Sequence, residues 1–140
     1  MKKVILLLCL FFGIGLTQLS AQSLQKGNLV GFHIVNLKLN PDVTYNQWKE
    51  LVLNWNQKYE ELMKGDVKVF LVEGIRGENK NEIGIIYVFK SASARDKYHN
   101  HDGTLNELGT QIHNKLESLN KEFEKIQKSY WTKYTDWIVQ

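Results

Sequence analysis

Four side chains of this 140-residue sequence could do acid–base chemistry together: His33, Glu73, Tyr87 and Arg76. His33 stands in the middle of an apolar segment, GFHIV, where an imidazole is a general base or a group that faces a cofactor if it points into a pocket. A partly buried histidine satisfied by a backbone carbonyl is the plainer alternative. Glu73 interrupts the apolar run VFLVEGI, and an unpaired buried carboxylate is costly, so it calls for a partner. Arg76 and His33 are the candidates, and a salt bridge at the end of a sheet would satisfy the same pattern. Tyr87 lies in the neighbouring segment EIGIIYVF and adds a phenol. His33, Glu73 and Tyr87 are therefore the candidate catalytic set, and His33 and Arg76 the candidate cofactor contacts. No cofactor is named by these residue types.

A second cluster is His99, His101 and Asp102, with His113 further along. His-x-His beside a carboxylate is a donor set for zinc, copper or nickel. Its place in a polar turn reads more simply as a solvated loop, and no metal site is assigned. Trp131, Tyr134 and Trp137 could stack on a sugar or another flat ligand, or equally pack in a core or a dimer contact. Gly74-x-x-Gly77 joins strand to strand rather than strand to helix, so it is not a phosphate loop.

The elements that must position these groups follow from periodicity. Asn28–Leu39 is apolar and β-branched and ends in alternation, which predicts a strand; apolar residues on both faces of its first half suggest a central one. Asn40-Pro41-Asp42 breaks it. Thr44-Tyr45-Asn46-Gln47 has the form of a capping box, and Trp48, Leu51, Val52, Trp55, Tyr59, Leu62 and Met63 follow at helical spacing to a stop at Gly65. Val67–Ile75 and Glu82–Phe89 read as a hairpin around a polar turn, with Gly74 and Gly84 marking bulges or close backbone approach. Ser91 or Ser93 caps a short helix through Tyr98. Thr104-Leu105-Asn106-Glu107 looks like a second capping box, leading into one long amphipathic helix through Ile126. Tyr134–Val139 reads as a last strand.

Strand, helix, strand, strand, helix, strand is the split βαβ arrangement, an α+β ferredoxin-like fold. Right-handed crossovers place both helices on one face of a four-stranded antiparallel sheet. The other face would be bare and apolar, and a symmetric dimer, sheet against sheet, is its economical cover.

The N-terminus bounds location. Lys2 and Lys3, the apolar Val4–Leu16 and the small residues Ser20-Ala21 form the order of a secretory signal peptide cleaved after Ala21, leaving residues 22–140 as one exported domain, periplasmic or secreted. The apolar run is short of the roughly 20 residues that a spanning helix needs. The single cysteine, Cys9, lies within it, preceded by Leu8 rather than by the small residue of a lipid-anchor site. Residues 22–140 then hold no cysteine, which removes thiolate nucleophiles, disulfides and Cys-ligated metals together. Loss of Lys2 and Lys3 leaves 16 basic against 15 acidic residues, a net charge of +1 in place of +3. Nucleic-acid binding lacks its electrostatic footprint.

The opening strand GFHIVNLKLNP, the helix from Thr44, the hairpin VKVFLVEGIRGENKNEIGIIYVF and the segment SASARDKYHN together resemble the dimeric α/β-barrel superfamily, which includes antibiotic-biosynthesis-monooxygenase-like, NIPSNAP-like and haem-degrading proteins. The resemblance implies a homodimer with a pocket between sheet and helices, and it implies no single reaction. Three readings stay open. One is an exported dimer that binds a small apolar or aromatic ligand. Another is a cofactor-independent monooxygenase-like or haem-handling enzyme using His33 with Glu73 or Tyr87. The third is a structural protein whose sheet face binds a partner.

Overall fold

The computed structural model of the chain describes residues 24–128 and 130–140, of which 130–133 by backbone alone; the expected signal segment 1–21 lies outside them. The elements are β1 (Leu29–Asn36), α1 (Tyr45–Leu62), β2 (Val67–Glu73), β3 (Ile83–Phe89), α2 (Ala92–Asp96), α3 (Glu107–Lys115), α4 (Glu117–Ile126) and β4 (Tyr130–Ile138). The sheet runs β2-β3-β1-β4, each neighbouring pair antiparallel. This is the expected α+β, ferredoxin-like arrangement, with β1 central as its apolar character requires.

Directly opposed residues in an antiparallel pair share a face. One face therefore carries Leu29, Val35, Val67, Val69, Ile85 and Phe89, all buried. They join one core with Trp48, Val52, Tyr59 and Met63 of α1 and with Ile112 and Leu116 of the α3–α4 segment, so the helices cover this face. The opposite face presents Phe70 and Trp137, 45% and 63% exposed, in rows with Val30, Phe32 and Ile86.

Local chemistry sets the helix ends. Thr44 and Gln47 form the capping box of α1, with Gln47 N–H donating to Thr44 Oγ1 at 3.3 Å and Thr44 N–H donating to Gln47 Oε1 at 2.8 Å. Past the helix, Lys64 and Gly65 both take positive φ, 52° and 76°, and Gly65 ends α1 as its permissive backbone allows. The second expected capping box does not form. Asp102 takes both the hydroxyl and the N–H of Thr104, at 2.6 and 2.9 Å, and closes a tight turn. The cap passes to Asn106, whose Oδ1 accepts from Gly109 N–H at 3.0 Å.

The helix expected through Ile126 is two helices. Leu116, fully buried, leaves helical geometry with φ −97° and ψ 1°, and its N–H turns to His113 O at 3.0 Å. Ile112 before the pivot is in the core, and Leu119, Phe123 and Ile126 after it pack against the core. β1 ends at Asn36, three residues before the expected end. Leu39 then makes an isolated bridge to Gln127. β4 begins at Tyr130, paired with Asn36, and the β1–β4 register shifts between His33 and Val35.

Candidate functional site

Two cavities lie between the sheet and the helices. The smaller, about 230 Å3, is walled by Trp48, Val52, Trp55 and Asn56 of α1, by Ile85 and Tyr87 of β3, and by Asn120 and Phe123 of α4. The larger, about 700 Å3, reaches His33 on β1, Tyr134 on β4, and Arg95, Tyr98 and His99 at and after α2. Trp55, Tyr87 and His113 line both, so one shared wall separates them.

The helix spacing of α1 builds the smaller cavity. Trp48 and Trp55 are held by amides of the opposite segment: Trp55 Nε1 donates to Asn120 Oδ1 at 2.9 Å, and Trp48 Nε1 donates to Gln127 Oε1. Trp55 stacks on Tyr59, with ring centroids 4.9 Å apart and an interplanar angle of 17°. Between them on the same stripe sits Asn56, 4% exposed. Neither its Nδ2 nor its Oδ1 has a hydrogen-bond partner among the described residues. A buried polar group in that state costs about 1–3 kcal/mol.

The larger cavity is a cluster of phenols around His33. The His33 and Tyr134 rings lie 4.4 Å apart and tilted by 32°, and Tyr87 meets His33 edge-on at 6.0 Å. Gly31, opposite Asp136 in the ladder, makes room for Tyr134, since a Cβ there would run into the phenol ring. Tyr134 donates its hydroxyl to Asp136. Burial first, and then this bond to the Asp136 carboxylate, hold Tyr134 well above the ordinary phenol range. Burial also raises Tyr87, and raises Tyr59 to about 12. These phenols are hydrogen-bond donors at neutral pH. Arg95, 8% exposed, places Nη1 on Asn100 O at 2.9 Å and on Asp96 Oδ1 at 3.2 Å.

Burial lowers both His33 and His99 from the ordinary imidazole value; Asp136 opposes this in each, and Arg95, through its backbone carbonyl, opposes it in His99. In the unfolded chain both titrate near 6.5. Between that value and the lower folded ones, the unfolded state binds protons that the folded state refuses, so stability rises with pH. The stability is present above 6.5 and is lost as pH falls through the folded values. Melting at about pH 5 and about pH 7.5 checks it. His33→Gln should melt with a smaller difference between the two conditions, and an unchanged difference would rule out a buried, neutral His33.

The expected site residues divide. His33 and Tyr87 come together on the helix-covered face. Glu73 shares that face but is exposed at the end of β2, two strands away from β1, and lines neither cavity. Its exposure meets the need for a partner with solvent. Arg76 is exposed in the β2–β3 turn and also lines neither. Among the described residues no three His, Cys, Asp or Glu side chains gather as a metal site. His99 packs edge-on to Phe89 at 6.2 Å while His101 is exposed. Tyr134 and Trp137 point to opposite faces and cannot form one stacking platform; the side chain of Trp131 lies outside those described. Asn56 and Arg95 escaped the sequence reading. The signal for Asn56 was present: it falls at helical spacing within the stripe Trp48, Val52, Tyr59, Met63, a polar residue where only apolar ones are expected.

Fold and strand order together define a ferredoxin-like α+β domain. No family model matches the chain, and no curated protein matches it. Among solved structures it is similar to a dimeric protein of unknown function and ferredoxin-like fold from Bacteroides fragilis NCTC 9343, at 12% identity and a TM-score of 0.42, covering 81% of this chain and 98% of that one. A de novo designed protein is similar at 9% identity and a TM-score of 0.38, with coverage of 81% and 98%.

Proposed function

We propose that this chain is an exported binding protein for a small, largely planar organic molecule, held between sheet and helices. The observation that carries the reading is the pair of adjoining cavities with the common wall Trp55, Tyr87 and His113. The larger is of the size that small-molecule sites take, about 300–1,000 Å3, and aromatic walls with a few polar groups are the usual lining. Binding is favoured over catalysis because Glu73 stands apart from His33 and Tyr87, so the expected catalytic set does not assemble. Trp48 and Trp55 report on the site. Titration with a panel of bicyclic aromatic compounds should change tryptophan emission saturably, and Val52→Phe, which fills the smaller cavity, should weaken the response. A flat response to the whole panel in the unaltered protein defeats the proposal. Export rests on residues 1–21 alone, and the mass of the protein recovered from its host checks cleavage after Ala21.

A second reading concerns the sheet face that the helices leave open. Phe70 is exposed there in a row with Ile86 and Phe32, and Trp137 in the neighbouring row with Val30, an apolar face of the kind that marks an interaction surface. A second copy of this chain covers it in the arrangement that the resemblance to dimeric α/β barrels implies. Light scattering should give twice the chain mass for the unaltered protein and the chain mass for the Phe70→Lys, Trp137→Lys variant. A monomer in both cases removes this reading.

A further inference from the structure

We infer that the smaller cavity selects a neutral, planar molecule whose edge carries a hydrogen-bond donor beside an acceptor, as in a lactam or another cis-amide, and that Asn56 reads this edge. The inference rests on the cleft being a binding site. A carboxamide offers one N–H face and one carbonyl face side by side, and both are buried and unpartnered among the described residues. A cis-amide edge satisfies the two at once, its carbonyl accepting from Nδ2 and its N–H donating to Oδ1. A single hydroxyl or an ether would leave one of them unmet. The carbonyl oxygens of the other amides on this wall are already taken, Asn120 Oδ1 by Trp55 Nε1 and Gln127 Oε1 by Trp48 Nε1, so Asn56 is the one of the three whose donor and acceptor are both open among the described residues. Among the described residues no Lys, Arg, Asp or Glu lines the cavity, and His113 is its one ionisable group besides the Tyr87 phenol, so the lining favours a neutral ligand. Trp55 and Tyr87 supply flat walls for a ring system.

The test compares three bicyclic probes by tryptophan fluorescence on the purified protein: 2-quinolone, its N-methyl derivative, which has lost the N–H, and naphthalene, which has neither group. The expected result is 2-quinolone binding at least about tenfold more tightly than the other two. Asn56→Leu, close in shape, should bring all three to similar affinities. Should 2-quinolone and naphthalene bind alike, or the preference survive in Asn56→Leu, the assignment to Asn56 is overturned while the cleft remains a binding site. Should none of the three bind, the cleft reading fails with it. If Asn56→Leu does not fold, the comparison of probes on the unaltered protein still decides.

Discussion

Trp48→Ala is expected to destabilise the domain by about 3–5 kcal/mol, the range for truncating a buried large aromatic. Three contributions are lost together. The indole is 1% exposed and lies in the core under β1 and β3, so its removal opens a void that rigid strands cannot close. Its Nε1 donates to Gln127 at the end of α4, a link between the first helix and the last, and truncation leaves the Gln127 carbonyl without that donor. Its ring also stacks on Tyr45 in the first turn of α1, at 5.6 Å and 28°. Trp48→Phe keeps most of the burial and gives up the hydrogen bond, so it should cost less, about 0.5–1.5 kcal/mol for that bond. Urea unfolding followed by circular dichroism measures both without relying on the indole as the reporter. A loss below about 1 kcal/mol for Trp48→Ala would mean that this side chain is not at the centre of the core.

Much of the architecture was legible because hydrophobic periodicity and capping are local. Thr44 and Gln47 announce α1 without reference to any other part of the chain, and the β-branched hairpin does the same for β2 and β3. The failures share a cause, which is that a distant contact decided between two local options. Thr104 is a good cap by type, but Asp102 competes for its hydroxyl and N–H, and the cap moved to Asn106. Leu116 is not a helix breaker, yet the chain leaves helical geometry there, and Ile112 before it and Phe123 after it pack with the same core. Apolar residues flank Glu73 and in the sequence alone suggest burial. The register shows the reason it is exposed: it lies opposite Ile83, the first residue of β3, where the ladder meets the exposed turn. The cavities were least legible of all. Asn56 and Arg95 gain their meaning from which residues of other elements surround them, and that information appears only once the sheet order is known.

Gly109→Ala should destabilise by about 1–3 kcal/mol, against the ordinary trend for a helix. In an unconstrained helical position that substitution stabilises by up to about 1 kcal/mol, because alanine loses less backbone entropy. Here the first turn of α3 rests on the backbone of Tyr98, and a Cβ at position 109 would overlap the Tyr98 carbonyl oxygen. Neither partner can retreat cheaply. The Tyr98 carbonyl accepts from Asn106 N–H at 3.1 Å, and its buried phenol donates to Asp66 at 3.0 Å and to Met63 O at 3.3 Å. Gly109 therefore lets α3 dock against the segment that follows α2. The consequence reaches the site, because Tyr98, Gly109, Ile112 and His113 all line the larger cavity. Displacing α3 by one methyl should widen that cavity on the His113 side as well as lower the urea midpoint. Stabilisation of the size that helix propensity predicts would show that the Tyr98–Gly109 contact does not hold α3 in place, and the wall it gives the larger cavity would then have to be drawn elsewhere.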